Sequence, residues 1–141
     1  MTIHKHFSFY FGLFCLLIVV VGCGSNPSLK GRVVFADDQT PLDSGTICFV
    51  SDKGIARGTI GPGGNYVVGS VGKNDGLPPG TYRVYLVDTE IYEPSLVPGG
   101  LPTIIPRIAV KYTQPETSGL TVEVKSSTTF DIQAERYVRP R

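Results

Sequence analysis

The sequence is poor in the side chains that carry most enzyme chemistry. It has two histidines, His4 and His6, and both fall within the first six residues. Everything after them is histidine-free, which removes the base of a Ser-His-Asp or Cys-His nucleophile pair. It also removes the commonest nitrogen ligand of zinc and other transition metals. Cysteine is scarce too, with Cys15, Cys23 and Cys48. Cys15 belongs to an apolar N-terminal run and Cys23 closes it, so Cys48 is the one thiol in the body of the chain. A single thiol makes no intrachain disulfide. Within Ile47-Cys48-Phe49-Val50 it is expected to act as a small buried hydrophobe in a strand. There is no Trp, and the one Met is residue 1. Charge of one sign is also lacking. Of thirteen Lys and Arg residues only Lys5 precedes Cys23, so twelve basic side chains face twelve acidic ones beyond it. That balance excludes the basic field by which proteins hold nucleic acid.

What the sequence does have begins with residues 1–22. His4, Lys5 and His6 form a weakly basic start, and Phe7 to Val21 is apolar apart from Ser8 and Gly12. This is the layout of a secretory signal peptide, and the run is short of the roughly twenty apolar residues a spanning helix needs. It ends in Val20-Val21-Gly22-Cys23, which resembles a lipobox: branched apolar residues, a small residue at the cleavage point, then cysteine. The resemblance implies cleavage between Gly22 and Cys23 and a diacylglycerol thioether on Cys23. Acyl chains contribute about 0.8 kcal/mol per buried methylene, so several together hold firmly. Gly24 to Ser28 reads as a polar tether. Residue 24 is Gly and not Asp, which in the sorting rule of some Gram-negative bacteria points to the outer membrane. The expected location is therefore the cell envelope, lipid-anchored, at the outer membrane or a periplasmic face.

Past Cys23 no helical periodicity survives. All eleven prolines and fifteen of the seventeen glycines lie there, punctuating the chain every ten residues or so with β-branched residues between. That spacing predicts an all-β fold, an antiparallel β-sandwich of about seven strands. The predicted strands are 29–36, 45–51, 55–60, 66–70, 81–87, 119–125 and 128–134. The clearest is 81–87, where Tyr82, Val84 and Leu86 alternate with Arg83, Tyr85 and Val87. Residues 88–107 read as a long irregular loop carrying Pro94, Pro98, Pro102 and Pro106. The predicted organisation is a signal peptide (1–22), a lipidated cysteine and tether (23–28), the sandwich (29–136) and a short tail (137–141).

Few groupings suggest chemistry. Asp37, Asp38 and Asp43 do not follow an EF-hand spacing and suit ordinary turns. Asp88, Glu90 and Glu93 sit on one segment, which seldom fixes two carboxylates for sugar hydrolysis. Gly61-Pro62-Gly63-Gly64 lacks the lysine and following helix of a phosphate loop and reads as a hairpin turn. Tyr82, Tyr85, Tyr92 and Tyr112 could stack on a glycan or peptide, though strand tyrosines usually pack inward. The long loop is the best place for function, and its prolines would lower the entropic cost of binding. Tyr92, Pro94, Pro98, Gly99, Gly100 and Pro102 are its candidate contact residues.

Gly31-Arg32-Val33-Val34, Pro41-Leu42, Gly45-Thr46-Ile47, Gly63-Gly64-Asn65-Tyr66 and Gly76-Leu77-Pro78-Pro79-Gly80-Thr81-Tyr82-Arg83-Val84 together resemble a carboxypeptidase regulatory-like (transthyretin-like, prealbumin-like) domain. The stretch Lys111 to Val124 is similar to the tail of small bacterial lipoproteins that carry this domain. The resemblance spans roughly residues 29–135 and implies a seven-stranded antiparallel sandwich serving as a structural or binding module. A hydroxyisourate-hydrolysing branch of the transthyretin-like proteins uses histidines and a C-terminal Tyr-Arg-Gly-Ser. This chain has no histidine beyond His6, and it ends Tyr137-Val138-Arg139-Pro140-Arg141. The expectation is a non-enzymatic, membrane-anchored envelope lipoprotein that meets a protein or glycan, with no metal, no nucleic acid and no cofactor beyond its acyl lipid. A small-ligand carrier is the alternative and a hydrolase comes third.

Overall fold

The computed structural model describes residues 26–69, 72 and 75–139. Gly22 and Cys23, and with them the signal and lipidation readings, lie outside the described residues. The described chain is all-β. Its strands are β1 (Leu29–Phe35), β2 (Gly45–Ser51), β3 (Gly54–Ile60), β4 (Asn65–Val67), β5 (Gly80–Val87), β6 (Ile91–Glu93), β7 (Thr103–Ile105), β8 (Leu120–Val124), β9 (Thr128–Thr129) and β10 (Ile132–Ala134). Two four-stranded sheets face each other, one ordered β3-β2-β5-β8 and the other β10-β1-β4 with β9 also on β1. The strands β6 and β7 form a separate two-stranded hairpin.

The first sheet is antiparallel throughout. Its alternation does what the sequence pattern demands. Ile47, Phe49, Ala56, Ile60, Tyr82, Val84, Leu86, Val122 and Val124 are buried and join the core, while Arg57, Arg83 and Glu123 lie on the opposite face. The second sheet contributes Leu29, Val33, Phe35, Tyr66, Val68, Ile132 and Ala134 to the same core. Leu42, Leu77, Ile108 and Tyr112 close its ends. Burying each such aliphatic or aromatic side chain contributes roughly 1.5–3 kcal/mol, and this shared interior is what fixes the two sheets on each other.

Strand β1 organises the second sheet. On one side it meets β4 antiparallel. On the other it meets β9 and β10 in parallel. Both parallel pairings keep one register, Leu29 opposite Thr128 and Val33 opposite Ile132, so 128–134 is a single pass as its sequence pattern suggested. The pass is interrupted because Asp131 replaces a backbone acceptor: its Oδ1 takes the Arg32 N–H at 2.8 Å. Beside this break the Tyr66 hydroxyl, from β4, donates to the Phe130 carbonyl. Gly31 makes the crossing possible, since a Cβ there would stand 2.0 Å from the Phe130 oxygen and 2.8 Å from the Tyr66 hydroxyl. Burial pushes the Tyr66 phenol well above its ordinary value, and Asp131 adds to the shift, so the hydroxyl stays a donor at any physiological pH.

Four details differ from the sequence reading. The sandwich is not antiparallel throughout, because β1 pairs in parallel with β9 and β10. The segment 88–107 is not wholly irregular: Ile91, Tyr92 and Glu93 pair with Ile105, Ile104 and Thr103. The ordered fold begins before residue 29, because the Leu77 N–H donates to the Pro27 carbonyl at 3.0 Å and the Thr128 N–H to the Ser28 carbonyl at 2.9 Å. Cys48 is buried, 2 % exposed, but on the outer face of its sheet, flanked in register by Arg57 and Tyr85.

Candidate interaction surface

The strand directions define two poles. β1 leaves Pro27 and Ser28 at one pole and reaches Phe35 at the other. Leu77, Ser127 and Thr128 bond to Pro27 and Ser28 at the first pole. At the far pole the chain turns through residues 36–44 and re-enters as β2. Here the Arg136 guanidinium stacks 3.7 Å from the centre of the Phe35 ring. Its Nε donates to Asp37 and its Nη2 to Asp38, each at 2.8 Å. Arg107 pairs with Asp43 at 2.8 Å. The acids read from sequence as ordinary turn residues are thus held by two arginines. Thr40, through its hydroxyl and N–H, and then Arg136, draw the Asp38 carboxyl down to about 2. The Arg107 hydrogen bond and charge draw Asp43 down as well.

The hairpin springs from this far pole. Its incoming stem is fixed by buried Thr89, whose methyl packs at Gly45, and its outgoing stem by Arg107 and buried Ile108. Between the stems nothing enters the core: every residue of β6 is exposed, and so is β7 apart from half-buried Ile105. Ser95 Oγ accepts the Val97 N–H at 3.1 Å. The Gly100 N–H returns to the Val97 carbonyl at 2.9 Å. Gly99 between them has φ +78°, so Val97-Pro98-Gly99-Gly100 has the proline and glycine that a type II turn demands.

The sequence candidates in this segment are therefore brought together on one element. Tyr92 is 62 % exposed and opposite Ile104. Pro94 and Pro102 flank the tip, and Pro98, Gly99 and Gly100 make its turn. Of the other tyrosines considered as stacking surfaces, Tyr82 and Tyr112 are buried and Tyr85 is half-buried. Sequence reasoning missed the apolar side chains of the tip. Leu96 is fully exposed, Leu101 is 89 % exposed, and Val97 and Ile104 are more than half exposed. The available signal was their spacing: apolar groups of one or two residues between closely spaced prolines cannot form a central, core-buried strand. Asp88, Glu90 and Glu93 lie on the incoming limb, and among the described residues none of the three is in an ion pair.

Elsewhere the surface offers shallow clefts. One of about 320 Å³ lies between the edges of β3 and β4 and is lined by Arg57, Thr59, Asn65 and several glycines. A second of about 210 Å³ is lined by Lys53, Ile55, Ala56, Leu77, Pro78 and Tyr82, below the roughly 300–1,000 Å³ of usual small-ligand sites. Among the described residues no group of three or more His, Cys, Asp or Glu is placed to hold a metal ion, and no helix is long and apolar enough to cross a membrane. No family model, curated protein or solved structure matches the chain.

Proposed function

We propose that this chain is a lipid-tethered envelope protein whose β-sandwich, of the carboxypeptidase regulatory-like kind, is a non-catalytic interaction module working through the β6–β7 hairpin. The observation that carries the reading is the polarity of the domain. The chain enters at the Pro27 pole, and the exposed apolar hairpin leaves from the other. The residues between Cys23 and that pole reach about 20 Å when fully extended, and β1 adds a similar length beyond them. A bilayer anchor at Cys23 would hold the first pole close and leave the hairpin stems a strand's length further out. The side chains offered there suit contact rather than catalysis: Tyr92, Leu96, Val97 and Leu101 carry area, and the turn between Val97 and Gly100 presets their arrangement.

The test is to express the full-length gene and its Cys23→Ser variant with labelled palmitate and to fractionate the membranes. The expected result is label and membrane association for the natural chain and neither for the variant. An unlabelled natural chain would remove the tether and leave a secreted or signal-anchored domain.

A further inference from the structure

We infer that the β6–β7 hairpin docks into another protein that offers an apolar cleft bordered by Lys or Arg side chains. This rests on the reading of the domain as an interaction module and names the chemistry of its partner. Two features of the hairpin point the same way. The first is its apolar tip, where Leu96, Val97 and Leu101 stand in solvent between prolines that fix the backbone. Such side chains bring apolar area that is stabilised by burial in a pocket, and a preset loop loses little freedom on docking. The second is its charge. Asp88, Glu90 and Glu93 on the incoming limb have no cationic partner among the described residues, and the cation of the outgoing stem, Arg107, is already held by Asp43. An apolar tip above an unneutralised acidic limb calls for the complementary pattern, an apolar centre with a basic rim.

The same pattern disfavours the other occupants. Interfacial elements that bind bilayers carry Lys and Arg to meet anionic headgroups, and this limb carries the opposite sign. A second copy docked about a two-fold axis would set the same acids against each other.

The experiment uses the product of the full-length gene in the cells that make it. A photoreactive benzoylphenylalanine replaces Leu96, and a control carries it at Thr121, which is exposed on β8. The protein crosslinked at 96 is identified, purified and titrated with the natural chain, with L96D/L101D and with E90K/E93K, at several salt concentrations. The expected result is an adduct to a different protein at 96 and not at 121. Affinity should fall about 100-fold in L96D/L101D, as for the loss of two anchors. It should fall about tenfold in E90K/E93K, with a flatter salt dependence. All variants should keep the natural melting temperature, because none of these side chains is buried.

An adduct to the chain itself, to lipid or to nothing would overturn the inference. So would binding indifferent to E90K/E93K, or co-sedimentation of the natural chain, but not L96D/L101D, with vesicles of phosphatidylcholine and phosphatidylglycerol. Palmitate labelling separates the two readings. If Cys23 is labelled but no partner is crosslinked, the tether stands and this inference falls. If a partner with the stated salt behaviour is found on an unlabelled chain, the reverse holds.

Discussion

Gly31→Ala is the sharpest test of how β1 is held. The added methyl would lie 2.0 Å from the Phe130 oxygen, 2.7 Å from its carbonyl carbon and 2.8 Å from the Tyr66 hydroxyl. Two of these neighbours are backbone and cannot rotate away. The 130–131 segment has to retreat, and it takes with it the Tyr66 bond and strains the Phe130-to-Lys30 and Arg32-to-Asp131 bonds, each 2.8 Å. Overpacking costs about 1–3 kcal/mol, and each weakened hydrogen bond about 1 kcal/mol. Against this, replacing glycine stiffens the unfolded chain by about 0.4–1 kcal/mol. The expected net loss is about 3–4 kcal/mol, a large part of the 5–15 kcal/mol that domains possess. It corresponds to a melting temperature lower by about 12–16 °C for a domain near this size. Urea denaturation of a soluble chain from residue 24 onward should show a lower midpoint with unchanged slope. Gly119→Ala is the control, since its φ is +68° but nothing lies within 4 Å of its Cβ position; it should cost about 1 kcal/mol through backbone strain alone. A Gly31→Ala variant within about 0.5 kcal/mol of the natural domain, the scale of ordinary surface substitutions, would mean that the Phe130 carbonyl does not lie over Gly31.

Two further outcomes follow from the far pole and the outer sheet face. The Asp38 carboxyl, bound by Thr40 and Arg136, titrates at about 2 in the folded chain against 3.8 unperturbed. A depressed folded value means that its stabilising contribution is complete above the unfolded value and is lost as pH falls toward 2. Urea midpoints should therefore drop between pH 4 and 2, with a shallower fall in Asp38→Asn; equal slopes would show that the pair contributes nothing. Cys48, covered beside Tyr85 and Arg57, should resist a disulfide reagent in the native soluble chain from residue 24 onward, where it is the one thiol. It should react along the unfolding curve, whereas a rate in native buffer equal to that in urea would show the cover to be open.

The sequence carried the strands well where one face is buried. Tyr82, Val84 and Leu86 alternate because each points into the core, so their period is visible without a structure. The β6–β7 pairing was not legible for the converse reason: Ile91-Tyr92-Glu93 and Thr103-Ile104-Ile105 are three residues each, bury no face and are separated by prolines. The side of the sheet on which Cys48 lies was implicit in its alternation with Ile47 and Phe49, but its burial depends on Tyr85 and Arg57, which only pairing brings alongside. Nothing local announced that the first and last strands run parallel, since that depends on the path of the whole chain. The candidate loop residues do share one element, but it is a hairpin and not the irregular loop that the sequence was read as, and its apolar tip was overlooked because exposed leucines leave no periodic trace.

The parallel pairing of the first and last strands has a mechanical consequence. Because β1 and the 128–134 pass run in the same direction, the chain enters at one pole and its tail leaves at the other. Tension between the two termini would pull these neighbours past each other along their length. The bonds from Thr128 to Ser28, Phe130 to Lys30, Arg32 to Asp131 and Ala36 to Ala134 would then share the load and have to give way together rather than peel one by one. The domain is built like a lap joint, in which such a pull falls on the whole seam at once.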